Sequence, residues 1–286
     1  MKRYIPWRTI RKIIFIGIIG IIVWITILSI VRIPTNDRVW ATDQAVLPSA
    51  EFLNETIVVK NIRNFTYLSR DEFIANYYDK SVRLTDIVSV DYIVEPLASV
   101  AAAHTFLSFG FSDGSRIAIS VEIRKEVGEE FSPLSGIFEA YELMYVVVDE
   151  HDALTLRAIY RDNPVYIYPT TATPEVAQKL FLSMLTRVNK LYHAPEFYNT
   201  LNNSCATNIA DHINELLPKS VPWDYRLLLP KDSDLLAYEL GFIHNAVPLA
   251  ELRETYNASN RIKEFENAPD FSVRIRQAST TSDSNQ

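Results

Sequence analysis

Cysteine occurs once in the 286-residue chain, at Cys205. A lone thiol excludes an internal disulfide framework and any cysteine-rich zinc or iron–sulfur site. Seven glycines are too few for a collagen-like or glycine-rich repeat architecture. No internal repeat is visible. Charged residues make up only 22% of the chain against 48% apolar, which excludes a wholly disordered protein. Basic charge is scarce outside the amino terminus. Residues 1–38 carry +6 and the remainder −13, for a net −7. An acidic body argues against nucleic acid as a partner. No metal site or cofactor motif stands out: the run Asp149-Glu150-His151-Asp152 reads as a solvated turn rather than a cation site.

What is present is one long apolar run, Ile13 to Val31, with 19 residues and no charge. At about 1.5 Å per residue it spans most of a hydrocarbon layer of roughly 30 Å. Five basic residues precede it, and Arg32 and Arg38 follow it. The run is longer than a usual signal-peptide core, and no small-residue cleavage site follows. The expectation is an uncleaved single-pass anchor with a cytoplasmic amino terminus. The chain then divides into a basic cytoplasmic segment (1–12), the anchor (13–31), a linker or docking segment (32–54), an extracytoplasmic catalytic domain (55–276) and a polar tail expected to be disordered (277–286).

Along the body, Thr56–Val59 and Phe65–Leu68 read as short strands. His104–Phe111 and Ser115–Lys125 read as a hairpin around Ser112-Asp113-Gly114. Glu142–Asp149 and Leu154–Arg161 read as a second hairpin. Pro174–Tyr192 has a helical apolar stripe, with Pro174 suited to its first position. Cys205–Leu217 is a second amphipathic helix, capped by Ser204 or Asn203 and stopped by Pro218. Strands and helices come in blocks rather than as βαβ units, which indicates an α+β fold with an antiparallel sheet.

One constellation carries chemistry. Cys205 falls in the first turn of a helix, where unpaired amides and the dipole favour a thiolate. Among five histidines, His212 is on the same helix but too far along it. His151, His193 and His244 sit in a turn, at a helix end and in a late loop. His104 begins a strand, and a strand-start histidine near a helix-start cysteine is the papain-like arrangement. The apolar faces Leu107, Phe109, Phe111 and Ile117, Ile119, Val121, Ile123 coincide only if a three-residue loop pairs Phe111 with Ser115, and so His104 with Glu122. Then His104, Ser108, Ser120, Glu122 and Arg124 share a polar face, and Glu122 can orient the imidazole. The bland alternative is a solvated strand face. Ser120, Arg124 and Asn203 are the candidate substrate-binding groups, with Asn203 as a possible oxyanion donor.

Several stretches resemble the Lnb amino-terminal periplasmic domain family: NDRVW (36–40), RNFTY (63–67), HTFLSFGFSDG (104–114), ISVEIRKE (119–126), YVVVDEHD (145–152), PEFYNTLNNSCATN (195–208) and LAYELGF (236–242). The resemblance implies a periplasmic membrane enzyme centred on Cys205 and His104. Such an enzyme moves an acyl chain from the glyceryl group of a diacylated lipoprotein to the amine of its amino-terminal cysteine. The order of histidine before cysteine also resembles circularly permuted papain-like folds, in which a second histidine usually occupies the position of Glu122. Two alternatives stay open at this point. One is a cysteine hydrolase of the same framework, acting on peptidoglycan or lipid esters. The other is a non-catalytic envelope binding module. The expected partners are a diacylated lipoprotein or membrane lipid, with no cofactor.

Overall fold

The computed structural model describes residues 6–97, 102–217 and 220–277, with the side chains of Ile22 and residues 25–31 outside the description. The expected disordered tail, apart from Gln277, and Pro218 lie outside the described residues.

Helix α1 (Trp7–Val31) covers the long apolar run. Among the described residues, no helix is long and apolar enough to cross a membrane. The body is built on strands β1 (Ser49–Leu53), β2 (Thr56–Arg63), β3 (Thr66–Tyr67), β4 (Phe73–Ile74), β5 (Tyr77–Arg83), β6 (Ile87–Pro96), β7 (Ala103–Phe111), β8 (Arg116–Arg124), β9 (Glu142–Asp149) and β10 (Tyr166–Pro169). Eight of them form one sheet in the order β1-β2-β9-β8-β7-β6-β10, with β5 also paired to β2. All pairings in it are antiparallel except the single parallel contact of β2 with β9. The strands β3 and β4 form a separate pair. The fold is therefore mixed α+β.

The sheet is covered on both faces. Helices α4 (Pro174–His193) and α5 (Cys205–Leu216) cover the first, where Leu180, Phe181, Met184, Leu185 and Ile209 pack on Leu107, Phe109, Ile117, Ile119, Tyr145 and Val147. Helix α2 (Pro133–Ile137) precedes β9 in the chain. The second face is covered by α3 (Glu150–Thr155), the π-helical turn Leu156–Tyr160 and short helices near the carboxyl end, whose Ala153, Leu154, Ala158, Ile262 and Phe271 pack on Phe106, Ala118, Met144, Val146 and Val148. Burial on both sides explains the unbroken apolar run LMYVVV in β9.

Two expectations are corrected. The second hairpin is absent: Leu154–Arg161 continues as helix and π-turn. The Asp149 side chain accepts from the His151 amide, and acids in the first turn suit the helix dipole. Nor is Asp149–Asp152 a solvated turn. Glu150 and Asp152 are fully buried, because Asp152 receives Arg63 (2.8 and 3.1 Å), the Phe65 amide and the Tyr67 hydroxyl, while Glu150 receives Arg276 and Ser108. The segment 32–54, read as a linker or docking segment, packs on the body. Its β1 pairs with β2, Asn36 donates to the carbonyls of Leu191 and Tyr192, and Trp40 bridges to Glu126.

Candidate active site

The β7–β8 turn sets the register. Phe111 N–H donates to Ser115 O at 3.0 Å and Gly114 N–H to Phe111 O at 2.9 Å. Gly114 sits at φ +83°, a conformation that a side chain would strain. Phe106 pairs with Ser120 and Ser108 with Ala118, so the same register places His104 opposite Glu122. On its other side His104 pairs with Glu95 of β6. The imidazole thus stands between two strands that each present a carboxylate.

His104 Nε2 is 2.7 Å from Ser120 Oγ and 3.1 Å from Glu122 Oε1. Ser120 in turn donates to the same Glu122 oxygen at 2.7 Å. A hydroxyl that donates to the carboxylate accepts from the ring, which places a proton on Nε2 and leaves Nδ1 as the nitrogen free for the thiol. The Cys205 thiol lies close enough to the imidazole for the two groups to shift each other's pKa. The His104 and Glu122 side chains retain 15% and 26% exposure, so the site opens to its surroundings.

Cys205 opens α5 behind a capping box in which Ser204 and Thr207 each bond the other's backbone. Burial opposes charge on the thiol, but His104 and the Thr105 backbone lower its pKa below the usual value. Burial likewise opposes the charge on His104, and Glu122 and Cys205 overcome it, raising the ring to about 10. Glu122 is held well below the usual carboxylate range against its own burial by His104, Arg157 and Ser120. These directions agree: each of the three groups favours the charged form of its neighbour.

Two residues escaped the sequence reading. Arg157, on the π-turn, is 3% exposed and donates to Glu122 Oε1 at 3.0 Å, while its Nε lies 2.9 Å from Glu95 Oε2. Its guanidinium also covers the Phe106 ring at 4.6 Å, and the His104 ring stacks on Phe106 at 5.7 Å. One arginine therefore bridges both carboxylates flanking the histidine. Nothing in the sequence points to it, because the segment reads as a strand. The second is Thr105, fully buried, whose hydroxyl has no well-aligned hydrogen-bond partner and lies against the Cys205 thiol.

The expected substrate-binding groups fare differently. Ser120 belongs to the site, but as the link between His104 and Glu122. Arg124 does not belong to it. Its guanidinium donates to the Gln44 and Ala45 carbonyls and to Asn36, and stacks on Trp40 at 4.2 Å, so it pins the amino-terminal segment. Asn203 is held by loop structure: its amide donates to Phe197 O and its oxygen accepts from Asn208. Among the remaining histidines, His212 is buried between Tyr145 and Ser183, and His151 bonds the Glu266 carbonyl. Phe106 and Phe109 are fully buried in the two cores. Among the described residues no cluster of histidine, cysteine and acid side chains is arranged to hold a metal ion.

A match to the Lnb N-terminal periplasmic domain family spans residues 74–231. The chain belongs to this family. The matched region is more than half of the sequence and contains His104, Thr105, Glu122, Arg157 and Cys205. By the family's description the body is an extracytoplasmic, periplasmic-type domain. Searches of curated proteins and of solved structures give no match.

Proposed function

We propose that this Lnb-family chain is a membrane-anchored thiol acyltransferase. It moves an acyl chain from the diacylglyceryl group of a lipoprotein to the amine of the lipoprotein's terminal cysteine. The observation that carries the reading is the hydrogen-bonded set His104, Ser120 and Glu122, with His104 acting on the pKa of the helix-start Cys205, all within the family region. The placement of a histidine strand before a cysteine helix supports a circularly permuted papain-like core.

In the proposed chemistry the Cys205 thiolate attacks the ester carbonyl. The first-turn amides of α5 and the Thr105 hydroxyl face the charge that forms. A carbon–sulfur bond forms, the carbon–oxygen bond breaks, and the His104 proton goes to the departing alcohol. The amine then attacks the thioester. A carbon–nitrogen bond forms, the amine proton passes to His104, and the thiolate leaves. Glu122 stays ionised throughout and holds the ring in place.

The anchor reading rests on the sequence, in which the run Ile13 to Val31 is apolar and uncharged and basic residues precede it. Support also comes from the surface where the chain leaves the helix. Arg32 reaches the Glu139 carbonyl at 3.5 Å, and the nearby segment exposes Val127, Phe131, Leu134 and Phe138. An apolar surface beside an anchor suits contact with lipid.

The test is lipoprotein from cells that lack any other amine acylation, carrying either wild type or Cys205→Ser. The reading expects N-acylated lipoprotein only with the wild type. Release of free fatty acid or cleaved muropeptides, with no acylated amine, would replace transfer by hydrolysis at the same site.

A further inference from the structure

A second feature of α5 lies beyond the reacting atoms. A cavity of about 320 Å³, lined almost wholly by apolar side chains, runs beside the helix. Its wall on that side is a single stripe: Ala206, Ala210, Ile213 and Leu217, with Ile209 and Leu216 beside them. The stripe follows the three- and four-residue spacing of one helix face, so the cavity extends along the helix for about 16 Å at about 1.5 Å per residue. Leu107 and Tyr92 supply its floor on the sheet.

The cavity begins one residue beyond the nucleophile. Ala206, in its wall, follows Cys205 directly, and Tyr92, also in the wall, has its pKa raised by burial and further by Cys205. The far end is marked by Leu217 and Val221. Its volume falls within the range of roughly 300–1,000 Å³ for small-molecule sites. An apolar cavity that follows α5 from the residue after the nucleophile fits one unbranched hydrocarbon chain. A sugar or peptide would leave its polar groups unpaired there.

We propose that this cavity is the acyl-chain site. The donor chain lies along α5 with its carbonyl at Cys205 and its methyl end toward Leu217, and Ala210 and Ile213 set how long a chain is accepted. The proposal rests on the acyl-transfer reading above and adds the subsite and its measuring residues. Small Ala206 and Ala210 keep this side of the channel open.

The test uses the full chain in amphipol and p-nitrophenyl esters from butanoate to hexadecanoate. Intact-protein mass spectrometry reads the rate at which Cys205 gains each acyl group. The wild type should react faster as the chain lengthens, by up to about fourfold per methylene until the channel is full. Ala210→Phe should lower the ratio of long-chain to butanoate rates at least tenfold, and Ile213→Ala should extend the longest chain accepted. A ratio unchanged in both variants overturns the proposal. Binding of a fluorescent fatty acid to Cys205→Ala reads the cavity without chemistry, and adding Ala210→Phe should weaken it about tenfold. Binding that is absent, or indifferent to Ala210→Phe, overturns the subsite while an acylated Cys205 keeps the catalytic reading. A Cys205 that no ester acylates, with chain binding intact, removes the catalytic reading and leaves the subsite supported.

Discussion

Glu122 Oε1 lies 3.1 Å from His104 Nε2 across the β7–β8 register, and Ser120 Oγ touches both groups at 2.7 Å. The carboxylate raises the ring's pKa, and the ring and its proton lower that of the thiol beyond it. The consequences are measurable as functions of pH.

Alkylation of Cys205 by iodoacetamide should be fast at neutral pH, because its depressed pKa keeps a thiolate below the usual thiol range. His104→Ala should slow it about tenfold or more at pH 7, as burial then pushes the thiol upward. Above about pH 10 the two chemistries should part. His104 loses its proton there, so ester acylation falls for want of an acid while alkylation persists. Parallel curves for the two reactions would remove the imidazolium from the mechanism.

Arg157 contacts Glu122 and Glu95 together. Removing its charge lets the Glu122 carboxyl rise, with His104 and Ser120 still holding it down. In Arg157→Met the acid limb of acylation should therefore move to higher pH, with about a tenfold loss near neutrality. Arg157→Lys should restore part of it. A purely structural arginine would change the melting temperature and leave the position of the limb unmoved.

The parts legible in the sequence are those governed by alternation and by helix starts. The odd-numbered apolar residues of β7 and β8 fix one register, and that register alone puts Glu122 opposite His104. Ser204 before an amphipathic run marks the start of α5, and with it Cys205. What alternation cannot give is a partner from a distant element. Leu154–Arg161 alternates like a strand, yet Asp149 caps a helix there and a π-turn carries Arg157 under the site. Arg124 shares the polar face of Glu122 by spacing, but the carbonyls of Gln44 and Ala45 satisfy it from a segment far away in the chain. Asn203 looks available beside Cys205 until the loop that uses both ends of its amide is folded.

The buried pair of Arg63 and Asp152 provides a stability test of the corrected α3 region. Arg63→Met leaves Asp152 without its cation in a fully buried position, and should cost about 3–5 kcal/mol in urea unfolding. Adding Asp152→Asn should recover part of the loss, because the uncompensated charge is gone. A loss under about 1 kcal/mol for Arg63→Met alone would mean that Asp152 is solvated, as the sequence first indicates.

Acidification should act through His212. Burial lowers its pKa from 6.5 to about 4, so the folded state holds it neutral while the unfolded chain takes up the proton first. Its contribution is complete above pH 6.5 and is lost as pH falls toward 4, by about 3 kcal/mol at most. His212→Gln should flatten this part of the stability curve. An unchanged slope between pH 6.5 and 4 would place the acid sensitivity elsewhere.

The central claim is that an acyl group passes through the sulfur of Cys205 to an amine. Its most direct measurement is intact-protein and product mass spectrometry of the purified full chain incubated with a synthetic diacylated lipopeptide. The account predicts a transient acyl mass on Cys205, and a lipopeptide that has lost one glyceryl ester and gained an amide. Both should be absent in Cys205→Ala and in His104→Ala. An N-acylated product formed by Cys205→Ala would contradict it, as would wild-type protein that shows no acyl mass and releases only free fatty acid.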